Sequence, residues 1–158
     1  MSPNIFNKSW RGSILAYAPL ILWVGVILFL GSGAGSMAQT SRFIGPLIEF
    51  FFPSAAPDTF LIAHAFIRKA AHFFEYAILA ILAARAFTRF NSVFASRNWL
   101  LLTFLLVIAV ATIDEFNQSF QSTRTSSGWD VLLDVVGGVT ALAAVYLFRR
   151  RAGSRSGA

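Results

Sequence analysis

Residues 111–138 read ATIDEFNQSFQSTRTSSGWDVLLDVVGG. Asp114, Glu115, Gln118, Arg124, Asp130 and Asp134 all stand in this one stretch, although the chain as a whole is 56% hydrophobic and only 13% charged. Carboxylates in so apolar a chain are not there for solubility. The flanking residues decide the fold: WLLLTFLLVIAV (99–110) leads in and VTALAAVYLF (139–148) leads out. Both are apolar all round, as a helix in lipid is and a surface helix of a soluble protein is not. The stretch therefore joins two membrane spans, at about 99–114 and 129–148, through a polar link.

Working back towards the N-terminus, ILAYAPLILWVGVILFL (14–30) predicts a span at about 14–31, near the roughly 20 residues that cross a hydrocarbon core of about 30 Å. Pro19 is expected near the start of that helix, where a missing N–H matters least. A cleavable signal peptide is the rival reading of residues 1–38, with Lys8 and Arg11 before the apolar run and Ser36-Met37-Ala38 after it. The run is longer than the roughly 7 to 15 residues of a signal h-region, which favours an uncleaved anchor. A second span is expected at about 68–88, in a helix that starts near Thr59 behind the capping residue Asp58. Between these, FIGPLIEFFFP (43–53) is too short to cross and is rich in Phe, so it is expected to lie in the interface or to dip into the outer leaflet.

The expected fold class is all-α: an integral membrane bundle of about four transmembrane helices. A cytoplasmic arm (1–13) precedes a single transmembrane domain (14–148), and a basic cytoplasmic tail (149–158) follows it. A mean hydropathy of +0.66 agrees with a membrane class, and 158 residues fit one domain. The absence of cysteine excludes disulfides and thiolate chemistry.

The net charge of +6 would suit a nucleic-acid partner in a soluble protein. Here the basic residues flank the spans, so no nucleic acid is expected. Lys8 and Arg11, then Arg85, Arg89 and Arg97, then Arg149, Arg150, Arg151 and Arg155 fall on one side of a four-span topology. The positive-inside rule makes that side the cytoplasm. Glu49, Asp58, Glu75, Asp114, Glu115, Asp130 and Asp134, which are all the acids in the chain, fall on the outer half.

Three helix ends thus converge outside: Lys69, His72 and Glu75 entering the second span, Asp114, Glu115 and Gln118 leaving the third, Asp130 and Asp134 entering the fourth. At 100° per residue Lys69, His72, Tyr76 and Leu79 share a face. Charges at the bilayer centre cost roughly 2.5 to 3.5 kcal/mol each, so they face a bundle interior or wet cavity and pair. Asp130 with Ser127 also fits a capping box. Asp134 lies beyond capping reach, which favours a buried partner such as Lys69. Asp114 and Glu115 near a helix C-terminus oppose the dipole, which argues for a specific partner. Gly137 and Ala141 offer a small packing surface.

His72 has three readings: a packed neutral histidine, a proton carrier or a metal ligand. The only other histidine, His64, lies about 80° away around the helix, which is no metal-ligand spacing. No metal and no cofactor is expected. His64, Arg68 and Glu49 are read as interfacial. Phosphate loops, Gly-x-Ser-x-Gly elbows and His-Glu-x-x-His are absent from the sequence.

RKAAHFFEY (68–76), DEFNQSF (114–120), Arg124-Thr125 and WDVLLDVVGG (129–138) together resemble the VanZ-like family of bacterial membrane proteins. The first span with its Ser/Gly loop and SRFIGPL (41–47) are similar to family members as well, so the resemblance covers most of residues 14–148. It implies a small helical bundle in the bacterial cytoplasmic (inner) membrane, a multi-pass topology, and a link to teicoplanin resistance through the founding member. It implies no particular reaction. Lys69, His72, Tyr76, Asp114, Glu115, Gln118, Arg124 and Asp130 match its motif positions. Where family members commonly have Pro-Gly before the arginine, this chain has Ser122-Thr123.

The leading expectation is a non-enzymatic cell-envelope protein with an outward-facing polar pocket formed by these residues with Glu75 and Asp134. Its expected partners are the lipid bilayer and a cell-wall precursor, lipid headgroup or amphipathic glycopeptide at the outer face. Oligomeric state is left open. The alternative is an intramembrane enzyme on a lipid-linked substrate, using His72 with Asp114 or Glu115, because paired carboxylates beside an imidazole suit acid–base chemistry. A small transporter is a third reading, weakened by the lack of an internal repeat.

Overall fold

The computed structural model describes residues 4–32, 37–54, 56–89, 92–120 and 128–155. Among them the chain forms helices α1 (Asn4–Gly31), α2 (Met37–Phe51), α3 (Pro57–Arg89), α4 (Val93–Arg97), α5 (Trp99–Ser119) and α6 (Gly128–Arg155), and no strand. α1, α3, α5 and α6 are each long and apolar enough to cross a membrane. The all-α, four-span class is therefore what the sequence predicts. The Gly/Ser stretch 33–36 and the link 121–127, with Arg124 and Ser127, lie outside the described residues.

Local chemistry explains the helix boundaries. Pro57 opens α3 at the one position where its missing N–H is no loss, with Asp58 in the first turn. Ser92 caps α4, its Oγ accepting from Ala95 N at 3.3 Å. At the junction to α5, the Asn98 side-chain amide and its backbone N–H both donate to the Phe94 carbonyl, at 2.9 and 3.0 Å. α5 runs through Asp114 and Glu115 to Ser119. These carboxylates therefore sit at least a full turn inside the helix, where the dipole's influence has largely faded.

α1 also extends further than its apolar run, back to Asn4, so Pro19 lies mid-helix and not near the start. A mid-helix proline leaves the carbonyl four residues earlier, that of Leu15, without its helical donor. Arg85 of α3 donates to that carbonyl at 3.4 Å. The Arg85 guanidinium thus supplies a donor where the helix has none.

α3 is the hub and touches every other helix. Its 33 residues would be about 50 Å long at about 1.5 Å per residue. That exceeds the hydrocarbon thickness, so it tilts or projects. The core joins Leu20 and Ile27 of α1, Tyr76, Leu79, Ala80, Ala83 and Ala86 of α3, and Val107, Val110 and Ala111 of α5. Ile21, Leu22, Leu105, Ile113, Phe116 and Leu132 stay exposed, the inside-out pattern of helices whose outer faces meet lipid.

α6 comes close to two helices through adjacent glycines. A Cβ on Gly137 would fall on the Phe73 backbone carbonyl, and one on Gly138 would lie 2.6 Å from Val107 Cγ1. Gly137 therefore meets α3 and Gly138 meets α5. α2 packs along the start of α3, burying Ile48 and leaving Phe50, Phe51 and Phe52 exposed. An open groove of about 670 Å³ lies at that elbow, lined by Ile48, Glu49, Phe52, Pro53, Pro57, Phe60 and Leu61.

Candidate functional site

α3 and α6 run parallel, and their contacts step along both helices together. Lys69 Nζ lies 3.0 Å from Asp130 Oδ1, His72 Nδ1 lies 3.4 Å from Asp134 Oδ1, and Phe73 lies against Gly137. The close glycine contact sets this register, since it brings the two backbones together immediately beyond the His72–Asp134 pair.

Exposure falls steeply along the ladder. The Lys69 and Asp130 side chains are 61% and 30% exposed, whereas those of His72 and Asp134 are 19% and 0% exposed. The sequence-based expectation of Lys69 as the partner of Asp134 is therefore corrected. Lys69 reaches only as far as Asp130, and the residue facing Asp134 is His72, one turn deeper. Asp130 also stands in the first turn of α6, so it serves the helix N-terminus as well.

α5 brings Asp114, Glu115 and Gln118 to the same end of the bundle, all three buried. Gln118 Nε2 donates to Asp114 Oδ2 at 2.8 Å across one helical turn. The other oxygen, Oδ1, points at α1, where a Cβ on Gly31 would coincide with it. α1 is held there by two further contacts: Trp23 Nε1 donates to the Glu75 carbonyl at 2.9 Å, and Asn117 donates to the Leu28 carbonyl at 3.4 Å. Tyr76, one turn beyond His72, is fully buried.

Among the described residues, Asp114 Oδ1, both oxygens of Asp134, His72 Nδ1 and the Tyr76 hydroxyl are buried without a hydrogen bond. Although His72 Nδ1 and Asp134 Oδ1 are near enough for an ion pair, they lack hydrogen-bond alignment. His72, Asp114 and Asp134 together offer one nitrogen and two oxygens that all lie within 4.8 Å of one another. Spacing along α3 alone does not reveal this set, because its members come from three helices.

The structure thus brings together nine of the expected residues at one end of the bundle: Lys69, His72, Glu75, Tyr76, Asp114, Glu115, Gln118, Asp130 and Asp134. Arg124 lies outside the described residues. His64 is buried within the bundle and stacked on Phe60, with ring centroids 6.4 Å apart. Gly31 was not singled out from sequence. A glycine ending an apolar run reads as a breaker, and only the tertiary contact with Asp114 gives it a role. At the opposite end of the bundle, Arg85 reaches Leu15 and Arg149 lies 5.2 Å over the Trp99 ring.

Buried histidine and carboxylates in a span can take up a proton, hold a cation or receive a donor-rich headgroup. The chain is similar over residues 15–149 to a protein-family model described as VanZ/LLP1. No curated protein and no solved structure matches it. With that match covering most of its length, and with the motif residues assembled at one end of a four-span helical bundle, the chain belongs to the VanZ/LLP1 family.

Proposed function

We propose that this protein is a multi-pass protein of the bacterial inner membrane that binds the polar headgroup of a cell-wall precursor or envelope lipid at its outer face, and so alters access of glycopeptides such as teicoplanin. The observation that carries this reading is the graded cluster of ionisable groups running from the exposed Lys69–Asp130 pair to the buried Asp114 and Asp134. Groups so costly in lipid are kept where they act. Segregation of Arg85, Arg89, Arg97 and Arg149–Arg151 to the far end supports an outward-facing acidic end. Lys69 and Asp130 would meet the headgroup first. The lipid-facing groove between α2 and α3, with Glu49 at its edge, suits the apolar part of the same ligand.

The test is teicoplanin susceptibility of a sensitive bacterial host expressing the protein, compared with Lys69→Ala and Asp114→Asn variants at equal membrane abundance. The parent shifts susceptibility and both variants lose at least half of the shift. No shift with the parent would remove the antibiotic part of the reading. Photocrosslinking of a lipid-linked precursor to the purified parent tests headgroup binding separately.

The closeness of His72 to Asp134 and Asp114 favours a second reading, an intramembrane enzyme acting on a lipid-linked substrate. There the imidazole would move a proton while the carboxylates hold it in place. Turnover of labelled lipid-linked precursor by the parent, lost in His72→Ala, would support it.

A further inference from the structure

We propose that His72 Nδ1, a carboxylate oxygen of Asp114 and a carboxylate oxygen of Asp134 form a binding site for a divalent transition-metal ion, zinc above others, between α3, α5 and α6. The distances come first. His72 Nδ1 and Asp134 Oδ1 are 3.4 Å apart without hydrogen-bond alignment. Two ligands on a tetrahedral zinc, with bonds of about 2.0–2.1 Å, stand about 3.4 Å from each other. A pair too far apart and too misaligned to be a good hydrogen bond is thus already spaced as one edge of a coordination tetrahedron. The Asp114 ligand atom lies within 4.8 Å of both, so closing the set to edges of about 3.4 Å takes a shift of at most about 1.4 Å, within side-chain rotation.

The second observation is electrostatic. Asp114 is 1% exposed and Asp134 0% exposed, and three of their four oxygens make no hydrogen bond among the described residues. Buried carboxylates need a compensating charge, and the nearest lysine, Lys69, is engaged by Asp130 at the surface. With a neutral imidazole, the trio carries two negative charges. A dication balances them.

The surroundings also orient the ligands. Gln118 holds Asp114 Oδ2 and so fixes the carboxylate, whose Oδ1 makes no hydrogen bond. Such an outer contact fixes a metal-binding carboxylate. Gly31 leaves the space that Oδ1 occupies. A donor set with one imidazole, two carboxylates and no sulfur suits Zn²⁺ or Mn²⁺ and not Cu⁺, while the imidazole disfavours Mg²⁺ and Ca²⁺. Three protein ligands leave a fourth position open, as in sites where zinc meets water or an anionic oxygen. The ion's binding does not depend on headgroup recognition, and either can fail without the other.

The experiment uses the full chain, purified in detergent and stripped with a chelator, and titrated with Co²⁺ and then Zn²⁺. The parent is expected to take up one equivalent of Co²⁺ with visible absorption bands of a low-symmetry site, and Zn²⁺ is expected to displace it. Mn²⁺ at equal concentration should compete at least tenfold less well. Asp134→Asn, nearly the same shape as the parent, and Asp114→Asn should each weaken binding at least tenfold. Asp58→Asn, an exposed carboxylate variant elsewhere, should not. Gln118→Leu, which keeps all three ligands, should weaken binding roughly tenfold through lost orientation. Parent and variants are compared only as monodisperse, helical preparations. Absence of bands in the parent, or equal affinity in parent, Asp114→Asn and Asp134→Asn, would overturn the site. Preference for Mn²⁺ over Zn²⁺ would overturn the assignment of the ion.

Discussion

His72 Nδ1 and Asp134 Oδ1 lie 3.4 Å apart, one on α3 and the other on α6, one turn further along both helices than the more exposed Lys69–Asp130 pair. This relationship depends on how closely α6 can approach α3, and Gly137 decides that, because a Cβ there would fall on the Phe73 carbonyl.

Gly137→Ala should therefore push the two helices apart. The obstacle is backbone, which cannot swing aside as a side-chain tip can, so the overpacking cost should be about 1–3 kcal/mol. A lower midpoint in thermal unfolding of the detergent-solubilised protein checks it. Gly25, with nothing within 4 Å of its Cβ position, is the control: Gly25→Ala should be neutral or raise stability by up to about 1 kcal/mol.

The Arg85 contact with Leu15 O has meaning only because Pro19 withholds its N–H. Arg85→Met in the parent should cost about 0.5–1.5 kcal/mol, the net worth of one hydrogen bond. In a Pro19→Ala background, where the helix supplies the donor itself, the same substitution should cost markedly less. A double-mutant cycle on unfolding midpoints measures the coupling, and additive effects would contradict the account.

Lys69→Met should leave stability within about 1 kcal/mol of the parent, because an ion pair as exposed as Lys69–Asp130 contributes little. Its effect should fall on headgroup binding instead. A large stability loss with binding intact would assign Lys69 a structural role.

Asp134→Asn should behave oppositely with and without metal. In chelator, removing a buried charge that has no hydrogen bond should leave the protein at least as stable as the parent. With Zn²⁺ at about 100 times the parent's dissociation constant, the parent should gain about 2.7 kcal/mol by mass action and the variant should not. The order of the two unfolding midpoints would then reverse between the two conditions.

The helical class, the four spans and the collection of acidic residues at one end were all legible in the sequence. Length of apolar run and position of charge are local quantities, and lipid leaves the backbone little choice but helix. Helical phase also placed Lys69, His72 and Tyr76 on one face. What phase cannot supply is the depth at which one helix stands against another. That depth, fixed by Gly137 against Phe73 and Gly138 against Val107, gives Lys69 to Asp130 and His72 to Asp134. The separate register of α1 against α5 sets Gly31 against Asp114, and that contact gives a glycine at the end of a span its role. The length of α1 escaped the sequence for a related reason. Its first turns are too polar to read as membrane helix, and only once they are seen to be helical does Pro19 become an interior proline that needs Arg85. The sequence determined which groups had to be buried together, because lipid penalises each of them alone; the tertiary structure decided which pairs form, because pairing depends on register between helices and register is set by contacts far apart in the chain.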